Sequence, residues 1–281
     1  MKRQHLNAGL LVVAAGLGTA VYFSQEKEKV GPPLTALAGD AITHIVIEHP
    51  DAPAIRLEKQ DGRWRLAAPV KGEVDDFEIA ALLNLATAAT QAKIEGAKPE
   101  DLGLAPPKYS ITLNDQAIAF GGTEPLQFHR YVQAGGATWT IEDPPSAALD
   151  KDWSDLVAKN LVPAGSEIER IELPQLALAK ADGKWSLMPA DPKAGADQLQ
   201  KLADAWKNAR AMWNEAATGP APRGERVRVT LKGGEVREFI VAAREPQFKL
   251  HRADLGVNFV LSKALAEEML QLPAPAPEPP K

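Results

Sequence analysis

The sequence predicts an α+β fold: two homologous repeats of antiparallel sheet with packed helices, plus an N-terminal transmembrane helix. Three observations predict it. The phrase DGRWRL at 61–66 returns as DGKWSL at 182–187. Each copy sits between short segments that alternate apolar and polar residues, the period of a half-buried strand. An uncharged apolar run, AGLLVVAAGLGTAVYF, occupies residues 8–23 behind the basic lead MKRQHLN.

The N-terminal run sits at the short end of the roughly 20 apolar residues that a spanning helix needs. Lys2 and Arg3 precede it, which orients the N-terminus to the cytoplasm and the body to the far side of an inner membrane. Tyr22 and Phe23 suit an interfacial aromatic anchor. A cleavable signal peptide, with Gly18 and Ala20 before the cut, is the competing reading. SQEKEKVGPPLTALA at 24–38 reads as a linker that Gly-Pro-Pro stiffens. The resulting boundaries are an anchor at 1–23, a linker at 24–38, unit one at 39–162, unit two at 163–272 and a Pro-rich tail at 273–281.

Within each unit the pattern runs in the same order. ITHIVIE (42–48) and IERIELP (168–174) alternate as strands. AIRLEK (54–59) and LALAK (176–180) each run into Asp-Gly, a strong hairpin signal, and emerge through Trp64 or Trp185. A helix follows: Asp75 and Glu78 have capping-box spacing, and Asp197 and Gln200 repeat it. Ile79, Leu82, Leu83, Ala86 and Ala89 fall on one helical face, as do Leu199, Leu202, Ala203, Trp206 and Ala209. Trp213, seven residues after Trp206, is read on the same second helix.

Four strands come next. YSITLND (109–115) matches VRVTLKG (227–233), and AIAFGG matches REFIVA. QFHRYV (127–132) matches QFKLHR (247–252), and ATWTI (137–141) matches VNFVL (257–261). Short helices around 145–158 and 263–271 close the units. The predicted order is β-β-β-α-β-β-β-β-α, twice.

Composition limits function. The net charge is −5, and the chain beyond residue 23 holds 30 basic and 37 acidic side chains. No basic cluster marks a nucleic-acid footprint. The absence of cysteine excludes disulfides, thiolate metal sites, a cysteine nucleophile and a lipid anchor on cysteine.

Chemical motifs are few. Gly219 and Gly224 precede Glu225, where a phosphate loop needs lysine. Ser24 and Lys27 have Ser-x-x-Lys spacing but lie in the linker. His44 and Glu48 share a strand face while His49 points away, two ligands where a zinc site needs more. Asp75 and Asp76 are paired acids already explained as helix caps. The candidate contact residues are Trp64 and Trp185, as sugar-stacking platforms or hairpin covers. Arg130 and Arg252, in the recurring His-Arg dipeptides, are candidates for an acidic group.

Several phrases together resemble a known family. They are IRLEKQDGRWRLAAP (55–69), the helix opened by VDDFEIAALLNLA, EDLGLAPPKYSITL (100–113) and DWSDLVAKNLV before the second unit. With the N-terminal anchor they resemble the domain of unknown function 4340 family over residues 40–270. APRGERVRVTL (221–231) departs from the pattern, lacking its leucine-proline step. The resemblance implies an extracytoplasmic accessory protein, often found beside an uncharacterised ABC transporter related to gliding-motility systems.

The resulting expectation is a non-enzymatic, membrane-anchored periplasmic accessory protein of an ABC-type transport or export complex. It would contact inner-membrane subunits, with no cofactor, no metal and no nucleic acid. The alternative is a periplasmic glycan or peptidoglycan-fragment binding module that uses an exposed Trp. An enzyme with an unfamiliar acid/base pair is the third reading.

Overall fold

A computed structural model describes residues 16–17, 31–142 and 147–274. Two antiparallel sheets dominate it, with few helices. The first sheet contains β1 (His44–Glu48), β2 (Ile55–Gln60), β3 (Arg63–Ala68), β4 (Gly72–Glu73), β5 (Thr90–Ile94), β6 (Tyr109–Leu113), β7 (Gln116–Thr123), β8 (Arg130–Ala134) and β9 (Ala137–Ile141). The second contains β10 (Ile168–Glu172), β11 (Ala177–Ala181), β12 (Lys184–Met188), β13 (Trp213–Ala216), β14 (Arg226–Leu231), β15 (Val236–Ala243), β16 (Phe248–Arg252) and β17 (Val257–Leu261). Helix α1 (Asp76–Asn84) belongs to the first half; α2 (Ala196–Asn208) and α3 (Ala264–Leu270) belong to the second.

The sheet orders are β4-β3-β2-β1-β6-β7-β8-β9-β5 and β12-β11-β10-β14-β15-β16-β17-β13. With β4 set aside, the two orders are the same. Both Asp-Gly corners have the backbone a two-residue hairpin needs. Asp61 and Gly62 have φ of 50° and 77°; Asp182 and Gly183 have 52° and 78°. Positive φ at both central positions gives the mirror-image turn that matches strand twist, and glycine takes it without strain. Trp64 pairs across to Lys59, and Trp185 to Lys180, five residues back in each case. The two indoles therefore occupy equivalent register positions.

Alternation puts one face of each strand inside. Tyr109, Ile111 and Leu113 of β6 are buried, as are Val227, Val229 and Leu231 of β14. Buried apolar residues from both sheets form one continuous core. Full burial of such a side chain contributes about 1.5–3 kcal/mol. An exposed ion pair contributes about 0–1 kcal/mol, so apolar burial decides whether the chain folds. Trp206 is the largest side chain with no exposure. Its indole N–H donates to the Met269 carbonyl at 2.7 Å, and its ring lies 5.8 Å from that of Phe239. The polar edge of the indole is thus satisfied where α2 meets α3.

The structure departs from the sequence expectations in several places. Each sheet has an edge strand after its helix, β5 or β13, that was not expected. TQAKI and WNEA are too short and too polar to declare themselves as strands. Residues 149–156 form turns and bends, and 157–158 run extended, where a closing helix was expected, because Asp152 binds the backbone locally. Its carboxylate accepts from the Ser154 amide and hydroxyl, both at 2.6 Å. Such side-chain bonds compete with helix. Asp75 does cap α1, accepting from the Phe77 amide at 3.1 Å. In α2 the cap falls two residues early: Gln198 Oε1 accepts from the Gly195 amide at 2.9 Å, and Asp197 lies inside the first turn. Trp213 is on β13, not on the helix.

The expected transmembrane helix at 8–23 lies outside the described residues except for Gly16 and Leu17. Among the described residues, no helix is long and apolar enough to cross a membrane. Part of the expected linker is paired with the first unit. The Gly31 amide donates to the Thr90 carbonyl at 2.7 Å, Leu34 to Ala88 at 2.9 Å and Thr35 to Ala86 at 3.1 Å. Residues 275–281 of the expected tail lie outside the described residues.

Replacing Trp206 with Ala is expected to lower unfolding free energy by about 3–5 kcal/mol, from lost burial and the cavity left behind. Chemical denaturation followed by circular dichroism measures it. A change below about 1 kcal/mol would show that the α2–α3 seat lies outside the cooperative unit.

Candidate binding cleft at the junction of the two sheets

The connector between the halves is an extended stretch with partners on both edges. On one side the Asp75 amide donates to the Leu156 carbonyl and the Ala158 amide to the Glu73 carbonyl, both at 2.9 Å. On the other, the Leu161 amide donates to Ala209 at 3.1 Å and the Ala211 amide to Lys159 at 2.8 Å. Asn214 of β13 adds its side-chain amide, donating to the Val157 carbonyl at 2.8 Å.

Charged side chains cross the same junction. Asp75, with a side chain only 3% exposed, meets Arg210 at 2.7 Å, and Arg210 also donates to Asn160 at 3.1 Å. Glu78, 5% exposed, is held by Lys151 and by Lys159, the latter at 2.8 Å. Arg237, 4% exposed, reaches Glu73 at 3.1 Å, Glu235 at 2.9 Å and the Leu161 carbonyl at 3.3 Å. Buried charges are tolerated only when paired and hydrogen-bonded, and each of these has partners from another segment.

The electrostatics follow from this pairing. Burial alone would raise the Glu78 carboxyl. Hydrogen bonds from Lys151 and Lys159, with the attraction of both cations, outweigh it and hold the group below the ordinary 4.5. Asp155 moves the other way: burial and the neighbouring Asp152 raise it above 3.8.

A cavity of about 480 Å³ opens against the junction. Arg63, Trp64 and Arg65 of β3 line it, with Glu73, Asp76 and, from the connector, Asn160. Trp64 is half-buried and packs partly on the core. Arg65 pairs with Glu73 at 3.5 Å. The lining contains no histidine, serine or lysine. A lining that offers an indole, arginines and amide or carboxylate acceptors can hold a polar ligand. Trp185 borders a space of only about 60 Å³ beside α2, with the Lys180 ammonium 5.9 Å from its ring.

The other sequence candidates do not converge on this cleft. Arg130 begins β8 and donates to the Gly121 carbonyl at 3.0 Å. Arg252 ends β16 and pairs with Asp254 at 2.8 Å. The two arginines thus lie at opposite ends of comparable strands. His44 Nδ1 lies 2.9 Å from the Thr43 hydroxyl, and His49 Nε2 lies 2.6 Å from the Leu149 carbonyl. Among the described residues, no group of three or more His, Asp or Glu is placed to hold a metal. Lys151, Lys159, Arg210 and Arg237 were missed as junction residues. Their partners lie 73 to 164 residues away along the chain, beyond any local spacing rule.

The fold and junction define a β-rich two-sheet body with a polar cleft between the first sheet and the connector. A family model described as Domain of unknown function (DUF4340) matches residues 64–219, more than half of the chain, and the chain belongs to that family. The match opens at Trp64 and encloses the connector, α1, α2 and β13. Comparison with curated proteins and with solved structures finds no significant match.

The Glu78 pairing makes stability acid-sensitive. A depressed folded value contributes stability that is present above about 4.5 and lost as pH falls through the folded value. Glu78→Gln is expected to cost about 2–3 kcal/mol at pH 7 by stranding two partly buried lysines. It should also flatten the stability loss between pH 5 and 3 seen in denaturant melts of the unmodified chain. Parallel slopes for the two proteins would exclude Glu78 as the titrating group.

Proposed function

We propose that this protein is a non-enzymatic, membrane-anchored accessory subunit of an envelope transport or export complex, acting through protein contacts with its body in the periplasm. The observation that carries this reading is the junction. Two sheets with matching strand order, β4 aside, are joined by a doubly hydrogen-bonded connector, by the Asp75–Arg210 and Glu73–Arg237 ion pairs and by one shared core. We infer that the halves arose by duplication of one unit, since both turn geometry and Trp register repeat. Of the paired acids Asp75 and Asp76, Asp75 already caps α1 and pairs with Arg210. The apolar segment at 8–23 supports the anchor, and the family resemblance supports the ABC-type partner.

Affinity capture from solubilised membranes tests the reading, comparing the full chain with one lacking residues 1–30. Gly31–Thr35 is retained because it pairs with Ala86–Thr90. The full chain is expected to recover integral membrane transport subunits and the shortened chain fewer of them. Recovery of no membrane protein by either sinks the proposal.

One observation favours a second reading, a periplasmic glycan or peptidoglycan-fragment binding module: Trp64, unlike Trp185, lines a cavity large enough for a sugar ring. Titration of soluble peptidoglycan fragments against indole fluorescence distinguishes it. Trp64→Ala should weaken binding about fivefold or more, as stacking is worth about 1 kcal/mol or more, while Trp185→Ala should not. Equal affinity for all three proteins would exclude the cleft.

A further inference from the structure

Among the described residues, the β7–β8 connection carries the two most exposed large apolar side chains outside the helices. Leu126 is 85% exposed and Phe128 71%. The loop presenting them is tightly built. Glu124 accepts from the amides of Leu126 at 3.0 Å and Gln127 at 2.7 Å. The Glu124 amide donates to the His129 carbonyl at 2.7 Å, and the Phe128 amide donates to the Glu124 carbonyl at 3.1 Å. Phe128 has φ of 60°, a left-handed conformation unusual for a bulky side chain. The loop therefore holds two apolar groups in water at an energetic cost.

Loop closure does not require them. The corresponding β15–β16 connection in the second sheet reads Arg244-Glu245-Pro246-Gln247. There Arg244 pairs with Glu225, and Glu245 pairs with Lys263 at 2.7 Å. The same fold position is charged and self-paired in one sheet, apolar and unpaired in the other.

Position says what the apolar tip meets. Thr123 pairs with Arg130, Arg130 with Ile141, and Ile141 with Thr90. The tip, the end of β9 and the start of β5 thus lie at one end of the sheet. Gly31, where the described body begins, is bonded to Thr90. At about 4.8 Å per strand, Gly31 is some 14–19 Å from the base of the loop. Seven residues, 24–30, separate it from the apolar segment, and such a stretch reaches at most about 25 Å.

We propose that Leu126 and Phe128 dip into the lipid interface beside the anchor, giving the body a second membrane contact that fixes its orientation. This rests on the anchor reading above. Two apolar side chains on a rigid hairpin bind lipid too weakly to hold a protein alone, but suffice once an anchor confines them to the surface.

The chain has no cysteine, so single-site labelling is direct. Leu126→Cys, Phe128→Cys and Val236→Cys, each carrying an environment-sensitive dye, are reconstituted as full chains into phosphatidylethanolamine/phosphatidylglycerol vesicles, with or without brominated acyl chains. Val236 is a half-exposed residue on a hairpin of the other sheet. Bromine is expected to quench positions 126 and 128 about twofold or more and to leave 236 unchanged. Flotation with vesicles but no quenching at 126 and 128 overturns the lipid contact and leaves the anchor standing. Failure to float overturns both. Dye at 126 and 128 shielded from aqueous iodide in native membranes, but unquenched by bromine in pure lipid, overturns the lipid assignment in favour of a protein partner.

Discussion

The fold depends on one extended stretch, Leu156–Val162. Its backbone satisfies the end of β4 and the start of α1 on one edge and residues 209–211 on the other. An extended segment with unpaired amides in an apolar interior would be costly. With both edges paired it becomes the shared spine of two sheets that never join strand to strand. Leu156, Val157, Leu161 and Val162 are each nearly without exposure, so the spine also contributes to the common core.

The ion pairs act on arrangement more than on total stability. Asp75, Glu78 and Arg237 lie under cover, where a lone charge is strongly unfavourable and a paired one roughly breaks even with an apolar substitute. Their effect is to penalise every packing of the two halves except the one that brings Arg210 to Asp75 and Glu73 to Arg237, with Lys159 of the connector seated on Glu78. The cleft beside Trp64 is lined by β3, Glu73 and Asp76 of the first half together with Ala158, Asn160, Pro163 and Ala164 of the connector.

Much of the sheet organisation was legible because it rests on local rules. Asp-Gly with a following Trp marks a two-residue turn wherever it occurs, and alternating residues mark a half-buried strand. What escaped reading follows no local period. TQAKI and WNEA become strands because an edge of β9 or β17 is waiting for them. DWSDLVAKNLV is a spine rather than a helix because Asp152 caps a turn and both flanks offer hydrogen-bond partners. Trp213, at helical spacing from Trp206, leaves the helix because α2 ends at Asn208 and the chain turns into the sheet. Within the cleft, Trp64 was identifiable from its repeat. Asn160 was not, since nothing near it in the chain points to the cleft, and Asp76 stood out only as one of two paired acids at a helix start.

By itself, the sequence determined the duplicated order of strands, the hairpin corners and the equivalent places of Trp64 and Trp185, because turn chemistry and alternation act over a few residues. It also marked the apolar N-terminal run. The tertiary structure alone decided that the halves share one core, that Glu78 is buried between two lysines, and that one sheet ends in an apolar tip while its counterpart ends in paired charges. Those outcomes depend on groups 70 or more residues apart meeting in space, and on which side chains solvent still reaches once they have met.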